Sequence, residues 1–467
     1  MSSHDRPTLG VILSQFPRYD EAFILRELVE LAQGPWELVI FSLRPCRDRI
    51  VHAQAKALQP KTVYAPFVAS RALWRAHGRF LRERPSAYWG ALGWIVSRHW
   101  THPLVLFKTL ILFPKTVFFA EVMRQQGIRH LHAFWATYPA TSAIVISRLT
   151  GATYSLSGHA HDLYTTTPAL REKILGARFM LTCTEANRDY ILSLLGNHRA
   201  GSDHRPQSTV DKNNTAGQAQ TPWTVDRGRS EVGGAVHRPQ STDHNNKIHL
   251  STVDCGLWTT PEIIVSYHGV DLSRFAPVDK PTGQVFQVLC IGSLFPCKGL
   301  ETLIDACARL SAKGVAYRCT IAGGGPLDAA LRKQIDRCGV REQVEITGYV
   351  SQERVVELYQ QAHAFVLPLI SKIHWGIPNV LIEALATKTP VITCNLPSLR
   401  ELVVHEDSGL IIPEQDPAAL AEAILRLRDD RALANRLAQS GYGRVAERFS
   451  LQRTGHALRA LFGECVA

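Results

Sequence analysis

Long uncharged apolar runs are missing from this sequence of 467 residues. No such run is long enough to cross a bilayer, and the best candidate, residues 104–122, is interrupted by Lys108, Pro114 and Lys115. The opening segment MSSHDRPTLG also lacks the apolar core of a secretory signal. The sequence therefore predicts no transmembrane helix and no secretion, and we expect a cytoplasmic protein.

Metal-binding patterns are missing as well. The ten cysteines are scattered, and no CxxC or Cys/His ligand spacing occurs. No DxD-like pair of acids stands where it could hold a metal ion beside the motifs described below. We expect reduced thiols, no metal and no other cofactor.

A surplus of basic residues gives a net charge of +11 and an isoelectric point near 9.2. Such a surplus favours an anionic partner, which can be nucleic acid, a phosphorylated ligand or an acidic lipid. No helix-turn-helix, zinc-finger or RNA-binding signature accompanies the charge, so a nucleic-acid binder is the weakest of these interpretations.

The first part of the chain, residues 1–196, alternates apolar runs with helical patterns. Residues 8–14 and 38–42 are short runs typical of buried strands, and residues 20–31 between them carry apolar side chains at helical spacing. Further strands are predicted at residues 130–133, 154–158 and 179–183. A strand–helix–strand opening predicts a parallel sheet.

Residues 67–124 differ from the rest of this part. They hold four of the nine tryptophans, and nine arginines or lysines against two glutamates. Helices rich in aromatic and basic residues are typical of a surface that lies on an anionic membrane. The alternative is an ordinary helical insertion that packs on the sheet with solvated arginines.

Residues 197–257 break the pattern. They are rich in small polar residues and poor in aliphatic ones, and the hexapeptide HRPQST occurs at 204–209 and again at 237–242. Such a segment cannot bury enough apolar surface to offset the entropy of ordering. We predict a disordered low-complexity insertion.

The strand and helix pattern resumes at residues 258–441. Strands are predicted at residues 285–291, 317–322, 344–347, 364–368, 390–394 and 409–412, most of them separated by helical segments. This alternation is typical of a doubly wound sheet with helices on both faces. A last helix is predicted within residues 442–467, at 442–461.

Two glycine-containing loops follow strands of this second sheet. Lys298 ends the stretch GSLFPCK, which begins at Gly292 beyond a strand and leads into a helix; a lysine and helix amides there can hold a diphosphate. The alternative is a surface Lys-Gly helix start. Gly324 and Gly325 belong to a run of three glycines that lets the backbone approach a ligand, although a tight turn explains the run equally well.

The third motif is GIPNVLIEALA, which begins at Gly376. Pro378 suits the first turn of a helix, so the free amides of Asn379 and Val380 suit a phosphate. Glu383, one turn on, can accept hydrogen bonds from ribose hydroxyls. The alternative is a solvated glutamate on an amphipathic helix.

Residues 288–428 resemble the donor-binding domain of glycosyltransferase family 4, whose members are retaining enzymes of the GT-B fold. Those enzymes read G-R-x5-K-G, G-x-G-P and E-G-x-P-x4-E-A-x-A, and this chain has GSLFPCKG, AGGGPL and WGIPNVLIEALA in the same order. Residues 157–162, SGHAHD, resemble the family's H-G-x-D element. Residues 267–275 resemble its N-G-V-D-x-x-x-F connection between domains, and Phe16-Pro17 begins a stretch that resembles the opening of polysaccharide-synthesising members.

The resemblance implies a fold of two Rossmann-like domains that face each other across a cleft. Residues 1–196 would bind the acceptor, residues 258–441 would bind the donor, and the last helix would cross back to the first domain.

The resemblance also assigns roles to single residues. Lys298 and the amides of Asn379 and Val380 would bind the donor diphosphate, Glu383 would bind the ribose, and His159 with Asp162 would be catalytic at the sugar. The glycine loop with Gly324 and Gly325, and Val350, would lie on the base side. The leaving diphosphate can take the acceptor proton, so the reaction demands neither a protein base nor a metal.

Two positions depart from the family's motifs. Ser293 replaces an arginine, which removes one positive contact to the diphosphate. Trp375 replaces an acid beside Gly376 on the sugar side. The departures leave open an altered donor choice, a slower enzyme or a protein without turnover.

The leading hypothesis is therefore a retaining glycosyltransferase that moves a sugar from a UDP- or GDP-sugar to a glycan or lipid-linked saccharide during assembly of a bacterial cell-surface polysaccharide. Its expected place is the cytoplasmic face of the inner membrane, on an anionic surface, with no nucleic-acid partner. The alternatives are a non-catalytic relative of these enzymes and, with less support, a sugar-nucleotide epimerase.

Overall fold

The computed structural model describes residues 6–18, 21–46, 52–165, 167–196, 261–280, 283, 285–371 and 376–466. The predicted insertion at residues 197–257 lies outside the described residues, and so does Trp375.

The first unit is built on a parallel sheet of seven strands in the order β3-β2-β1-β4-β5-β6-β7. The strands are β1 Thr8–Leu13, β2 Glu37–Ser42, β3 Thr62–Tyr64, β4 His130–Phe134, β5 Thr153–Gly158, β6 Phe179–Thr182 and β7 Glu262–Val265. The central strands are buried almost throughout, because helices cover both faces of the sheet.

The helices of this unit connect the parallel strands. They are α1 Ala22–Leu31, α2 Ala53–Leu58, α3 Arg71–Glu83, α4 Pro85–His99, α5 Pro103–Gln125, α6 Tyr138–Thr150, α7 Ala160–Tyr164, α8 Leu170–Leu175 and α9 Glu185–Gly196. Three of them, α3 to α5, form the basic and aromatic segment. The strand order reverses between β1 and β4, so the loops after these two strands flank a crevice at the carboxyl edge of the sheet.

The second unit has a parallel sheet of six strands in the order β10-β9-β8-β11-β12-β13. Its strands are β8 Phe286–Ile291, β9 Tyr317–Ala322, β10 Val344–Gly348, β11 Ala364–Leu367, β12 Val391–Cys394 and β13 Leu410–Ile412. Its helices are α10 Leu300–Ala312, α11 Asp328–Arg337, α12 Gln352–Gln361, α13 Asn379–Ala386, α14 Pro417–Asp429, α15 Arg431–Arg448 and α16 Leu451–Val466. The predicted fold class of two Rossmann-like units is confirmed.

The last helix differs from its prediction. The predicted helix at 442–461 is divided, because α15 ends at Arg448 and α16 begins at Leu451. Val270 occupies the break: its amide donates to the Phe449 carbonyl at 2.8 Å and its carbonyl accepts from the Leu451 amide at 2.8 Å. Helix α16 then packs on the first unit, where Phe462 is buried beside Phe179.

Helix α5 bears on the prediction that no helix spans a membrane. By length and composition alone, this helix is long and apolar enough to cross a bilayer. The sequence prediction, which required a long uncharged apolar run, passed over it because it contains Lys108 and Lys115. Its second half is core, with Val117, Phe119 and Met123 fully buried, as in the central helix of an α/β unit. Its first half exposes Leu104 and Phe107.

Nine cysteines lie in the part of the chain that the structure describes, and none of them is in a disulfide. Most of them are buried in the two cores.

Gly299 fixes the entry into α10 and generates a prediction. Its φ is +62°, and a Cβ there would lie 1.9 Å from the Pro368 carbonyl oxygen. Gly314 has nearly the same φ, +67°, but open space around it. We expect Gly314→Ala to lower the free energy of unfolding by about 1–2 kcal/mol, and Gly299→Ala by about 2–3 kcal/mol more because the clash adds to the backbone term. Thermal or urea unfolding measures both, and equal losses would contradict the packing at Gly299.

Candidate active site

Lys298 lies beyond the carboxyl end of β8, where the strand order of the second sheet reverses. It ends the short 3-10 turn Pro296–Lys298 and its side chain passes Gly292, with Cε 3.8 Å from the place of a Cβ there. Burial lowers the pKa of Lys298, and the thiols of Cys297 and Cys290 oppose that effect. A cation that burial destabilises gains from a bound anion, so this position favours an anionic ligand.

The glycine run at 323–325 is explained by packing between two loops. The φ of Gly323 is +149°, and a Cβ there would lie 1.9 Å from the Gly292 carbonyl oxygen. A Cβ on Gly325 would lie 2.7 Å from the Leu294 carbonyl oxygen, and the Leu294 amide donates to Gly324 at 3.1 Å. The close approach is therefore to another loop of the chain, which supports the tight-turn interpretation.

Two further predicted positions lie near these loops. Ser293, predicted at the diphosphate, is exposed on the loop after β8. The ring of Tyr349 covers Gly324, since a Cβ there would meet the ring at 2.5 Å. Val350 is half-buried against the core of the second unit.

The amino end of α13 lies on the other side of the reversal point, after β11. Pro378 is its N-cap and not its first-turn residue, with φ −64° and ψ 128°, so the helix begins one residue later than predicted. The amides of Asn379 and Val380 belong to the first turn, where no intrahelical acceptor exists. The Asn379 side-chain oxygen is buried and, among the described residues, has no hydrogen-bond partner. Such an end suits an anion.

Glu383 does not project freely into a cleft. Its Oε1 accepts a hydrogen bond from Arg26 Nη2 at 2.7 Å, and its Oε2 accepts from the Tyr359 hydroxyl at 3.3 Å. The carboxylate is only 9% exposed and Arg26 is 21% exposed. Arg26 lies on α1 of the first unit and also donates to the Gly269 carbonyl at 3.2 Å. A ribose would therefore share Glu383 with Arg26 or displace it, because a carboxylate offers about four acceptor positions.

Asp162 holds the loop that presents His159. Its two carboxylate oxygens accept from the backbone amides of His159, at 3.0 Å, and of Ala136. Burial raises the pKa of Asp162 to about 6, against the opposing effect of these amides and of Lys173. The side chain is fully buried, so the geometry gives it a positioning role. Lys173 supports the neighbouring loop after β4 by donating to the Ala136 carbonyl at 2.9 Å.

His159 lies in a cage of rings. Its ring centroid is 4.6 Å from that of Trp135, 5.1 Å from Phe23 and 5.4 Å from His268. Its Nδ1 and the Trp135 Nε1 are buried and lack hydrogen-bond partners among the residues that the structure describes. Burial, and secondly the charge of His268, hold the pKa of His159 well below its usual range. The imidazole is therefore neutral near pH 7.

Gly376 brings the second unit to this cage. A Cβ on Gly376 would lie 2.9 Å from Cys183 Sγ, so no side chain fits there. Cys183 follows β6 and hydrogen-bonds with His268, a partner of the cage. The structure thus places Gly376, which was predicted on the sugar side, against Cys183 of the first unit, as the sequence order alone did not require.

Helix α1 contributes contacts at the candidate site that the sequence argument missed. Phe23, Arg26, Glu27 and Glu30 share one face at helical spacing and contact, in turn, the histidine rings, Glu383, His268 and Arg459. Glu27 and Glu30 are buried charges, 8% and 9% exposed. The charged residues within this otherwise apolar helix were the only signal in the sequence. Their partners lie more than 200 residues further along the chain, so the sequence did not identify them.

The described ranges contain no group of three His, Cys, Asp or Glu side chains that could hold a metal ion. Two parallel α/β units with polar groups gathered at the carboxyl edges of their sheets define a class of protein that binds nucleotides at such edges. The comparisons with known proteins narrow that class.

Residues 276–444 match the family model of group 1 glycosyl transferases. Over 205 residues the chain is 32% identical to a protein named as a colanic acid biosynthesis glycosyltransferase, WcaL, of Salmonella typhimurium; the match covers 43% of this chain and 50% of that protein. The chain thus spans about half the length of the curated relatives it matches. These matches support a group 1 glycosyltransferase, and membership of family 4 stays a prediction.

Two solved structures show the same fold over the full chain. A glycosyltransferase of Rickettsia africae has a TM-score of 0.63 at 14% identity, covering 99% of both chains. HepE of Anabaena, solved with UDP, has a TM-score of 0.60 at 12% identity, covering 98% of this chain and 100% of that one. At these identities the likeness shows the fold alone.

The Arg26–Glu383 pair generates a stability prediction. Arg26→Met keeps the aliphatic stem but leaves a buried carboxylate with only the Tyr359 hydroxyl, so we expect a loss of about 2–3 kcal/mol in the free energy of unfolding. The matched control is Arg354→Met, whose partner Glu357 is 54% exposed; this variant should lose less than about 1 kcal/mol.

A double-mutant cycle isolates the pair. Arg26→Met and Glu383→Gln combined should lose less than the sum of the single losses, by about 1–2 kcal/mol. Additive losses in denaturant unfolding would show that the two side chains do not interact.

Proposed function

We propose that this protein is a retaining glycosyltransferase that moves a hexose from a nucleoside-diphosphate sugar to a saccharide or lipid-linked saccharide in bacterial cell-surface polysaccharide assembly. The observation that carries the proposal is that Lys298 after β8 and the amino end of α13 after β11 lie on the two sides of the reversal point of the second sheet, with Glu383 one turn further along α13. The cation and the helix amides suit a diphosphate, and the hydrogen-bond acceptor Glu383 suits a ribose.

The comparisons support the same proposal. The curated relative named for colanic acid biosynthesis suggests an exopolysaccharide product, and the UDP complex of HepE suggests a uridine nucleotide. The exopolysaccharide product and the uridine nucleotide are properties of those two proteins, and for this chain they are proposals.

The proposed reaction needs few groups from the protein. The bond from the anomeric carbon to the diphosphate oxygen breaks, and Lys298 with the α13 amides stabilises the leaving anion. The acceptor hydroxyl forms the new bond on the same face of the sugar, and its proton passes to the leaving diphosphate. His159, Trp135 and Gly376 would surround the sugar, and no metal enters the scheme.

The proposal predicts specific stabilisation by nucleotides. A ligand that binds the native state raises the melting temperature, so UDP or GDP should raise that of the wild type. Lys298→Ala should weaken the nucleotide at least tenfold, because a charge-assisted contact contributes about 1.5–3 kcal/mol. Lys313→Ala, an exposed lysine after α10, should bind like the wild type. No stabilisation by any nucleoside diphosphate would overturn the proposal.

A protein that binds nucleotides without turnover is the second candidate. Ser293 and Trp375 depart from the family's motifs, and Glu383 is engaged by Arg26. Assays of hydrolysis and transfer across UDP- and GDP-sugars separate the two candidates. Nucleotide binding without any turnover supports the second.

The proposed site of action is an anionic membrane surface, bound through helices α3 to α5. These helices and the segments beside them carry seven exposed apolar side chains, which together are called the patch and are between 54% and 82% exposed: Phe67, Trp74, Trp89, Trp100, Leu104, Phe107 and Ile111. Exposed basic residues lie on the same helices: Arg71, Arg75, Arg82, Arg98 and Lys108. Aromatic side chains with basic neighbours suit the headgroup region of such a membrane.

Arg79 is unsuitable for testing membrane binding by charge reversal. Arg79 forms an ion pair with buried Glu121 and a second with Glu83, so reversing its charge would damage the fold. We expect Arg75→Glu combined with Arg82→Glu to weaken binding to phosphatidylglycerol liposomes at physiological salt by at least about thirtyfold, at roughly 1 kcal/mol for each lost positive charge.

A second variant tests the apolar part of the patch. Trp100→Ser with Phe107→Ser should weaken liposome binding, and Val278→Ser, an exposed apolar residue of the second unit, should not. Wild-type protein that ignores these liposomes in flotation would remove the membrane part and leave the transferase proposal standing.

A further inference from the structure

A cluster of ionisable side chains lies where the two units meet, outside the motifs that define the donor site. It comprises Glu27 of α1, His159 after β5, Cys183 after β6 and His268 after β7, and we call it the histidine cluster. His268 Nδ1 lies 3.0 Å from Glu27 Oε1. Both side chains are close to 10% exposed, so water screens this contact weakly.

The two imidazoles of the cluster lie face to face. The rings of His159 and His268 are stacked at an interplanar angle of 16°, and Phe23 packs against both, 5.1 and 4.5 Å away. Two parallel imidazolium rings this close would repel each other, so only one of them carries a charge in this arrangement.

The surroundings decide which ring is charged. Burial lowers the pKa of His268, but its hydrogen bonds with Cys183 and Glu27 outweigh burial and raise the pKa to about 9. Burial and the neighbouring His268 lower the pKa of His159. Burial and the histidines beside it lower the pKa of His132, the neighbour of His159 on β4. His268 therefore holds the proton.

We propose that His268 is a positioning residue: bound to Glu27 and charged, it holds the stacked, neutral ring of His159 so that its unpaired Nδ1 can bind a hydroxyl of the sugar or acceptor. The inference rests on the proposed function, since the ligand hydroxyl belongs to that reaction. A buried ring nitrogen without a partner is rare in proteins, and a ligand hydroxyl would satisfy it. This contact requires no proton transfer. A neutral imidazole can donate or accept a hydrogen bond at Nδ1, depending on its tautomer.

The inference predicts a pH dependence that a structural role would not produce. Because its pKa is raised to about 9, His268 keeps its charge throughout the usual histidine range and loses it only as pH rises through about 9. Glu27→Gln removes the group that holds this charge. We expect wild-type transfer to be level from pH 6 to 8, and that of Glu27→Gln to fall about tenfold over that interval as His268 deprotonates.

A matched control lies one turn further along α1. Glu30 is as buried as Glu27, but it pairs with Arg459 and not with a histidine. Glu30→Gln should lower the melting temperature and keep the wild-type pH profile. Equal pH profiles for Glu27→Gln and the wild type, or the same shift in Glu30→Gln, would overturn the inference.

A second readout keeps the inference testable without turnover. Ring nitrogen shifts of histidine-labelled protein, assigned with His268→Asn and His159→Asn, should show a charged His268 and a neutral His159 at pH 7.5. A neutral His268 at that pH would overturn the inference. Nucleoside-diphosphate binding in the same samples tests the proposed function separately, because Lys298 lies outside the cluster.

Discussion

The ion pair between Arg26 and Glu383 is the interaction on which the candidate site depends. Its partners lie on helices of different units, α1 and α13, the Nη2–Oε1 distance is 2.7 Å, and both side chains are largely buried. Charges taken out of water are stable only with a close opposite charge and further hydrogen bonds, which Tyr359 and the Gly269 carbonyl provide here. The pair therefore fixes α1 against α13, and with it the distance between the two halves of the site.

The same requirement explains the other charges on α1. Glu27 has His268 and Glu30 has Arg459, so each buried acid of this helix meets a cation from a segment far along the chain. The site that results is rich in positive groups, namely Lys298, Arg26, His268 and the amino end of α13. Such a site favours a ligand that carries negative charge where these groups converge. The neutral ring of His159 and the indole of Trp135 line its less polar end.

The sequence predicted the parts of the fold that depend on local pattern. Strands such as β1 and β8 are short apolar runs, and Lys298 and Glu383 stand at predictable places beyond strand ends. Arg26, Glu27 and His268 could not be found in this way, because the pairs Arg26–Glu383 and Glu27–His268 join residues at least 240 positions apart and helical spacing says nothing about such pairs. The break at Phe449 was missed for the same reason, since Val270 fills it. The glycine run was visible in the sequence, but its cause, a second loop at contact distance, was not.

The central claim is that a nucleoside diphosphate binds between the loop after β8 and the amino end of α13, with α1 completing the site. Hydrogen–deuterium exchange with and without UDP or GDP tests it directly, because it reports the location of bound ligand along the chain. Slower exchange in residues 292–300, in α13 and in α1 is the predicted result. Protection confined to other segments, or none at saturating nucleotide, would contradict the account.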